Sequence, residues 1–564
     1  MLFNIPFIRK IHNDLTMESK IDEIPMSRYP RPQLKRDSYL CLNGKWDNGV
    51  TVPYPLESRN SGHKGRVNKF NVYTRSFSIP AEFEIKDKVL LNFGAVDQTC
   101  EVFVNDKPVG DHAGGYLPFS LDITEALNKE PGATNTLKVA VTDTLSHFYA
   151  YGKQKKHSGG MWYTPVSGIW QTVWLESVSE DYIKTLEIVP SLTGIDVNID
   201  SEANDYEIEI YDGDKLIHSE RTAYDLIHID IKDPVLWTPD NPKLYTIKIR
   251  TKHDEVSSYF GLRTVRIEEV NGIKRILLND KPFFFHAILD QGYFPEGIYT
   301  PNTERDYEED ILRIKELGFN TIRKHVKIEP QCFYEACDRL GMLVFQDVVN
   351  NGSYKYFKNT ALPTFGFQSL DDTKARVSDS QKNEFALNME DTITYLYSFP
   401  CIVYFTIFNE GWGQFESDML YDWAKTIEKT RVIDSTSGWF WQQKNDVDSY
   451  HIYFWQKPTP YNGRPIVFSE FGGMSYKVKE HSYSKYASYG YTSCKSGEEL
   501  TDAIVALYER DIIPRIKDGV CGSVYTQAFD VEEETNGLYT YDRKVCKVNK
   551  EKLVKMAEKL KIPQ

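Results

Sequence analysis

The spacing of apolar and polar positions predicts two β-rich domains in the first half of the chain. Apolar residues at 102–104 are followed by Asn105-Asp106, a pair typical of hairpin turns. Further along, three apolar residues between 206 and 210 alternate with two glutamates. Because alternation with period two places apolar side chains on one face of a strand, we expect two β-sandwiches. Their short strands indicate a jelly roll followed by an immunoglobulin-like sandwich.

From about residue 265 the pattern changes to strands that alternate with helices. Tyr307, Ile311 and Ile314 lie on one face of a predicted helix, and 438–441 reads as a short strand. The nearly continuous apolar run 402–408 is typical of a strand buried on both faces. Such alternation to the end of the chain predicts a parallel (β/α)₈ TIM barrel. The predicted domains are an N-terminal tail at 1–27, the jelly-roll sandwich at 28–178, the immunoglobulin-like sandwich at 179–264 and the TIM barrel at 265–564.

Charge and composition exclude several classes of protein. A net charge of −14 argues against a nucleic-acid partner, which would require a basic surface. No apolar run reaches the roughly 18 residues that a membrane helix needs, so no membrane partner is expected. The basic residues near the N-terminus follow its short apolar patch, an order that a secretory signal does not have. A cytoplasmic location is therefore expected, and a homo-oligomer is left open.

Cysteine spacing gives no indication of a metal centre. The eight cysteines are scattered, without a CxxC pair or a Cys/His cluster. Several lie within apolar runs, where they read as buried free thiols and favour a reducing compartment. We therefore expect neither a metal nor a cofactor.

Two glutamates stand where a barrel carries its catalytic groups. Glu410 follows the apolar strand at 402–408, and Glu470 follows the apolar segment 465–468. Catalytic residues of TIM barrels come from the carboxyl ends of strands, and a buried glutamate is costly unless it is paired or functional. A pair of this kind suits glycoside hydrolysis, in which one carboxyl protonates the leaving oxygen and the other attacks the anomeric carbon. The alternative is that both glutamates have a structural role. That interpretation would be preferred if only one such glutamate were present.

The residues around both glutamates resemble glycoside hydrolase family 2, which contains β-galactosidases, β-glucuronidases and β-mannosidases. Asn409-Glu410 and the later run 469–472 (Ser-Glu-Phe-Gly) carry this resemblance. The segment 168–176 is similar to the last strand of the family's N-terminal sandwich, and 318–323 is similar to the start of its barrel. The resemblance covers nearly the whole chain and implies a retaining exo-β-glycosidase that acts by double displacement.

The resemblance also implies roles for individual residues. Glu410 would be the acid/base, Glu470 the nucleophile, and Asn409 the partner of the sugar's 2-hydroxyl. His451 and Tyr453 match a His-x-Tyr at a strand end, from which Tyr453 would orient the nucleophile, although His451 alone could be a core histidine. Further expected site residues are Arg323, whose charge would lower the pKa of the nucleophile, and the glycone contacts Asp290, Gln291, His325 and Trp441.

The identity of the sugar depends on departures from the family pattern. Where β-glucuronidases carry Asn-x-Lys to grip a sugar carboxylate, this chain has Glu534 and Asn536 at the matching places. We therefore expect a neutral glycone, above all galactose. A β-glucuronidase or β-galacturonidase is the alternative, with Lys324 or Lys327 gripping the carboxylate. A non-catalytic carbohydrate-binding protein is the alternative from outside the enzymes.

Overall fold

The computed structural model describes residues 24–130, 132–453 and 460–563. Most of the predicted N-terminal tail at 1–27 therefore lies outside the described residues. Within them, the chain forms two β-sandwiches followed by a parallel barrel. No helix in these ranges combines the length and the apolar character that crossing a bilayer requires.

The first sandwich consists of two four-stranded antiparallel sheets whose facing sides are apolar. In one central strand Leu137, Val139 and Val141 are fully buried and alternate with more exposed residues. At the hairpin tip Asn105 and Asp106 have φ angles of 50° and 63°, the left-handed conformation that a tight two-residue hairpin turn requires. In spatial order the sheets are Leu40–Cys41, Val173–Val178, Lys88–Phe93, Phe119–Asp122; and Phe70–Ser78, Thr134–Thr142, Thr99–Val104, Lys107–Ala113.

The second sandwich pairs a three-stranded sheet with a four-stranded sheet. Its core is aliphatic, with Ile208, Ile210, Ile247 and Ile249 all completely buried. An antiparallel segment then leads into the barrel. In spatial order the sheets are Thr185–Pro190, Gly194–Asp200, Leu226–Asp230; and Lys215–Thr222, Tyr206–Asp212, Tyr245–Arg250, Glu255–Phe260; the connecting strands are Val265–Val270, Ile273–Leu278 and Lys281–Pro282.

The barrel is one sheet of eight parallel strands, which we number β1 to β8 along the chain. Their spatial order is β5-β4-β3-β2-β1-β8-β7-β6, so each strand contacts its neighbours in sequence. Parallel strands are covered on both faces, and every residue of several of them is buried. The strands are β1 Phe285–Asp290, β2 Thr321–Lys324, β3 Leu343–Asp347, β4 Ile402–Asn409, β5 Val432–Ser437, β6 Asp448–Ile452, β7 Ile466–Gly472 and β8 Val520–Thr526.

Amphipathic helices cover the outside of the barrel. Tyr307, Ile311 and Ile314 of the first helix are buried against the sheet, which is the face that their spacing predicts. The described residues 438–447 join β5 to β6 without a helix. The helices are α1 Glu304–Glu316, α2 Gln331–Leu340, α3 Asp379–Tyr395, α4 Ser417–Ile427, α5 Gly497–Leu507 and α6 Lys550–Ala557.

The prediction of a strand at 438–441 is wrong. The fifth barrel strand is Val432–Ser437, and 438–441 is a loop that follows it. The polar second half of this strand conceals it, because Asp434 to Ser437 read as loop residues. The side chains of Asp434, Ser435 and Ser437 are buried with protein partners; Tyr404 Oη, for example, donates to Asp434 Oδ2 at 2.9 Å.

Buried polar side chains fasten the second sandwich to the barrel. Trp237 Nε1 donates to the carbonyl of Asp338 at 2.8 Å. Arg263 donates to the carbonyls of Pro400 and Ile402 at 2.9 and 2.7 Å. Because these donors are almost fully buried, the orientation of the sandwich on the barrel is tightly specified.

Candidate active site

The carboxyl ends of the barrel strands bring Glu410 and Glu470 together. Glu470 lies within β7, and Glu410 follows β4 with a φ angle of 50°. This left-handed conformation is unusual for a glutamate and turns the chain sharply out of the barrel. Both carboxyl groups are largely buried.

His451 of β6 lies between the two carboxylates. Its Nδ1 is 2.9 Å from Glu410 Oε1, and its Nε2 is 3.6 Å from Glu470 Oε1 and 3.0 Å from Ser437 Oγ. One oxygen of each carboxylate and one ring nitrogen of His451 all lie within 4.8 Å of one another. That spacing would also suit a cation, but the guanidinium of Arg323 already supplies positive charge beside Glu470.

Arg323 of β2 connects three strand ends through its planar guanidinium. It donates to Glu470 Oε1 at 3.1 Å, to Asn409 Oδ1 at 2.9 Å and to Asp347 Oδ1 at 3.0 Å. The amide of Asn409 is thereby oriented so that its Nδ2 has no partner among the described residues, although it is buried. A buried donor without a partner in a pocket is available to a ligand.

The environments of the two carboxyl groups push their pKa values apart. Burial raises the pKa of Glu410 above its usual range, and the hydrogen bond with His451 only partly offsets this effect. Burial also acts to raise the pKa of Glu470, but the electrostatic effects of His451 and Arg323 outweigh it and lower this pKa to about 2. Of the two carboxyl groups, Glu410 therefore keeps its proton more readily and Glu470 is the one that ionises first.

Tyr453 adds a donor to the second oxygen of Glu470. Its hydroxyl donates to Glu470 Oε2 and lies 3.0 Å from Thr526 Oγ1 of β8. The Tyr453 ring stacks on Tyr491, with 4.0 Å between the centroids. Glu470 thus has a fixed orientation from both sides.

A chain of polar side chains runs along one side of the pocket. Gln291 donates to Gln527, Gln527 donates to Asn536 and Asn536 donates to Glu534, at 2.8–2.9 Å in each case. Tyr163 of the first sandwich donates to the other oxygen of Glu534. Gln291 and Glu534 line the pocket directly, where they can bind sugar hydroxyls.

Among the described residues, five that the sequence predicts for the site do not line this pocket: His451 and Arg323, which contact the two glutamates, and Asp290, Lys324 and Trp441. Lys324 is buried behind it, with its ammonium 2.9 Å from Glu329 and also paired with Asp290. Trp441 donates to the Ser449 carbonyl at 2.8 Å instead. His325 does line the pocket, and its Nδ1 lies 2.8 Å from Asp347 Oδ2.

The first sandwich supplies pocket residues that the sequence analysis missed. Lys153 and Met161, which lie on a long loop of that domain, line the pocket together with Trp412 after β4. The Lys-Gln-Lys-Lys run at 153–156 reads as a solvated charge cluster, so only the packing of this loop on the barrel identifies Lys153 as a site residue.

Family models match each of the three domains in order. A galactose-binding domain-like model of glycosyl hydrolase 2 matches 52–171, a glycosyl hydrolases family 2 model matches 182–263, and the TIM barrel model of the same family matches 268–471. The chain belongs to glycosyl hydrolase family 2.

Curated members of family 2 are similar to parts of the chain. A β-galactosidase of Thermoanaerobacter pseudethanolicus is 27% identical over 49% of this chain and 39% of its own length. A β-galactosidase of Lactococcus lactis is 24% identical over 69% of this chain and 37% of its own length. The chain thus spans well under half the length of these curated relatives.

Solved family 2 structures share the fold over nearly the whole chain. A β-D-glucuronidase of Dictyoglomus thermophilum has a TM-score of 0.75 at 20% identity and covers 95% of this chain and 99% of its own. A β-galacturonidase of Eisenbergiella tayi has a TM-score of 0.67 at 18% identity and covers 94% and 98%. At these identities the likeness concerns the fold alone.

Proposed function

We propose that the protein is a retaining exo-β-glycosidase. The observation that carries this proposal is the buried pair Glu410 and Glu470, whose oxygens approach within 4.8 Å and whose pKa values diverge. Retaining enzymes hold their carboxyl groups about 5–5.5 Å apart, whereas inverting enzymes need about 6.5–9.5 Å to admit a water. The spacing here suits direct attack by a carboxylate.

The reaction proceeds in two displacements. In the first, ionised Glu470 attacks the anomeric carbon while Glu410 gives its proton to the leaving oxygen, which forms a covalent glycosyl-enzyme. In the second, Glu410 removes a proton from water, the water attacks the same carbon, and Glu470 leaves. Asn409 Nδ2 is free to donate to the 2-hydroxyl, an interaction that strengthens in the transition state.

The lining of the pocket supports removal of one terminal sugar at a time. The first sandwich closes one side through Lys153 and Met161, so a long polysaccharide could not run through the site. An exo-acting enzyme that binds a single glycone fits this shape.

The identity of the sugar that the enzyme removes is a separate part of the proposal. The sequence-based expectation of a neutral glycone, as in a β-galactosidase, rests on Asn536 at the position of the β-glucuronidases' lysine. The names of the relatives include β-galactosidases, a β-glucuronidase and a β-galacturonidase, so they support both classes of sugar. Family membership and the opposed carboxyl pair favour an enzyme over a sugar-binding protein.

Product stereochemistry and two isosteric variants test this proposal. Proton NMR of a 4-nitrophenyl β-glycoside digest should show the β-anomer first. Glu470→Gln should abolish turnover, a loss of at least about 10⁴-fold, because the nucleophile is gone. Glu410→Gln should retain the first step with a good leaving group, and azide should restore turnover. An α-anomer as first product, or full activity in Glu470→Gln, would contradict the proposal.

A further inference from the structure

Lys153 places an ammonium group in the pocket that has no direct hydrogen-bond or ion-pair partner in the protein. The residue is only 7% exposed, and its Nζ lies 5.5 Å from the centroid of the Trp412 ring and 5.7 Å from that of Tyr163. In the part of the chain that the structure describes, no carboxylate or carbonyl oxygen forms a hydrogen bond or ion pair with this nitrogen. Glu410 and Glu534 interact with its charge only across the pocket, and aromatic ring faces stabilise a cation only modestly.

The other two lysines near the site contrast with Lys153. Lys324 pairs with Asp290 and Glu329. Lys327 pairs with Glu329 at 2.8 Å and donates to the Gly292 carbonyl at 2.6 Å. Both cations are satisfied within the protein, and neither lines the pocket, so the lysines expected from the sequence to grip a carboxylate have partners already.

A bound anion could therefore pair directly with this buried ammonium, in surroundings that strengthen the interaction between charges. We infer that Lys153 binds the carboxylate of a uronic acid glycone, and that the proposed glycosidase acts on β-linked uronides. This inference rests on the proposed function and specifies its substrate class. The sequence-based expectation of a neutral sugar considered cations of the barrel alone, whereas Lys153 comes from the first sandwich.

The loop that carries Lys153 is held rigidly, as a specificity residue requires. The Tyr163 amide donates to the Lys153 carbonyl at 3.0 Å. Gln154 donates to Asp97 Oδ2 at 2.8 Å from inside the sandwich. Gly152 has a φ angle of 61°, and a Cβ there would lie 2.8 Å from the Val326 carbonyl of the barrel. The ammonium is therefore positioned before a ligand arrives.

Glu534 shares the pocket with Lys153 but forms no ion pair with it. Both of its oxygens accept hydrogen bonds from the protein, from Asn536 and from Tyr163. Burial raises the pKa of Glu534 above its usual range, and the charge of Lys153 only partly offsets this effect, which weakens the repulsion that Glu534 would exert on a substrate carboxylate. Its role in this arrangement is to hold the polar chain along the pocket wall.

The position of Lys153 also affects the acid. Its charge opposes burial and acts to lower the pKa of Glu410, which disfavours the protonated form that the first step needs. A bound carboxylate would neutralise the ammonium and remove this effect. A uronide would thus favour the acid form of Glu410 further, whereas a neutral sugar would leave the lysine charge acting on it.

Comparison of three substrates with one leaving group tests the inference. The 4-nitrophenyl β-D-glucuronide, β-D-galacturonide and β-D-galactoside are assayed with the wild-type chain and with Lys153→Gln. We expect kcat/KM for one uronide to exceed that for the galactoside about tenfold or more. Lys153→Gln should reduce the uronide value about 100-fold but should not reduce the galactoside value, because with a neutral sugar the lysine charge acts against the acid form of Glu410. Lys156→Gln, an exposed lysine of the same loop, is the matched control and should behave as wild type.

Two outcomes overturn the inference and leave the proposed function intact. One is a wild-type preference for the galactoside, and the other is an equal loss on all three substrates in Lys153→Gln. If none of the substrates turns over, the proposed function fails. Calorimetry with free D-glucuronate, D-galacturonate and D-galactose then tests whether Lys153 binds a sugar carboxylate. Uronate binding that disappears in Lys153→Gln would still support the anion site, and uronate binding that is absent or unchanged would refute it.

Discussion

At the scale of residues, two glutamates of equal chemistry acquire different properties from their neighbours. Glu410 has one ring nitrogen of His451 beside it, whereas Glu470 has Arg323, Tyr453 and the other side of the same ring. Desolvation acts on both carboxyl groups in the same direction. The difference in pKa therefore arises from the donors and charges that the strand ends supply, and not from burial.

The hydroxyl of Tyr453 contributes to this difference, and its removal should change the pH profile. A hydrogen bond to the charged form of Glu470 stabilises that form, so Tyr453→Phe raises the pKa of the nucleophile. More Glu470 is then protonated at low pH, and the acidic limb of kcat/KM moves to higher pH. Loss of a hydrogen bond to a charged group, about 1.5–3 kcal/mol, also lowers kcat/KM at the optimum about 10- to 100-fold.

The pH dependence of kcat/KM for an aryl glycoside measures this effect. Tyr421→Phe is the matched control, because its hydroxyl also donates to a carboxylate, Asp446 Oδ1 at 2.7 Å, and lies outside the pocket. That variant should keep the wild-type limb. An unchanged acidic limb in Tyr453→Phe would show that this hydroxyl does not govern the ionisation of Glu470.

At the scale of elements, the sequence predicts the parts of the barrel whose burial follows a simple period. The apolar run of β4 and the amphipathic α1 are clear because each buries apolar side chains at regular spacing. The strand β5 is not clear from the sequence, because its second half is polar and finds buried hydrogen-bond partners only in the folded barrel. Hydrophobic pattern cannot reveal a strand whose burial depends on tertiary partners.

The same limit applies to the site. Glu410 and Glu470 are predictable because each follows a strand at the end where barrels carry chemistry. Lys153 is not predictable, because its sequence neighbourhood resembles an exposed charged loop, and Lys155 and Lys156 are indeed exposed. Which of these lysines enters the pocket depends on how the sandwich packs against the barrel.

The end of β5 should be sensitive to one added methyl group. Gly438 has a φ angle of 98°, and a Cβ there would lie 2.8 Å from Cγ of His451. Gly438→Ala should therefore displace the ring between the two carboxylates and lower kcat about 100-fold, the cost of a misplacement on the order of 1 Å. Steady-state kinetics with an aryl glycoside measures the loss.

Gly463→Ala provides the control for backbone strain. Gly463 has a φ angle of 103°, nearly the same, but a Cβ there would meet nothing within 4 Å. Both variants carry a similar backbone cost, but Gly438→Ala also crowds a buried ring, so its melting temperature should fall at least as far as that of Gly463→Ala, and only Gly438→Ala should lose activity. Equal activity in the two variants would indicate that the His451 ring tolerates the contact.

At the scale of the whole molecule, the domains act as one unit because the sandwiches bind the barrel through buried polar contacts. Asp338 of α2 is central to the second interface: its carboxylate accepts from the Cys401 amide at 2.6 Å and from Tyr259 Oη at 2.8 Å. Tyr259 belongs to the second sandwich, and Cys401 immediately precedes β4. A single carboxyl group thus connects a helix, a barrel strand and a neighbouring domain.

The ionisation of Asp338 should make stability depend on pH. Burial raises the pKa of Asp338 to about 7 in the folded chain, against an ordinary value of 3.8. Between these values the folded state binds more protons than the unfolded state, so the free energy of unfolding falls as pH rises towards 7. Asp338→Asn removes the ionisation, and the variant should lose less stability than wild type between pH 5 and pH 8, by about 1–4 kcal/mol.

Differential scanning calorimetry at several pH values from 5 to 8 measures this difference. At pH 5 wild-type Asp338 is protonated, and the amide of Asn can still accept one of its two hydrogen bonds, so the two chains should be similar there. At pH 8 the wild type must bury a charge without a cationic hydrogen-bond partner, which the variant avoids. Asp111→Asn, an exposed aspartate of the first sandwich, controls for the loss of one acidic group. Parallel stability curves for Asp338→Asn and wild type would mean that Asp338 has the same pKa in the folded and unfolded chains, and that this interface does not couple the domains to pH.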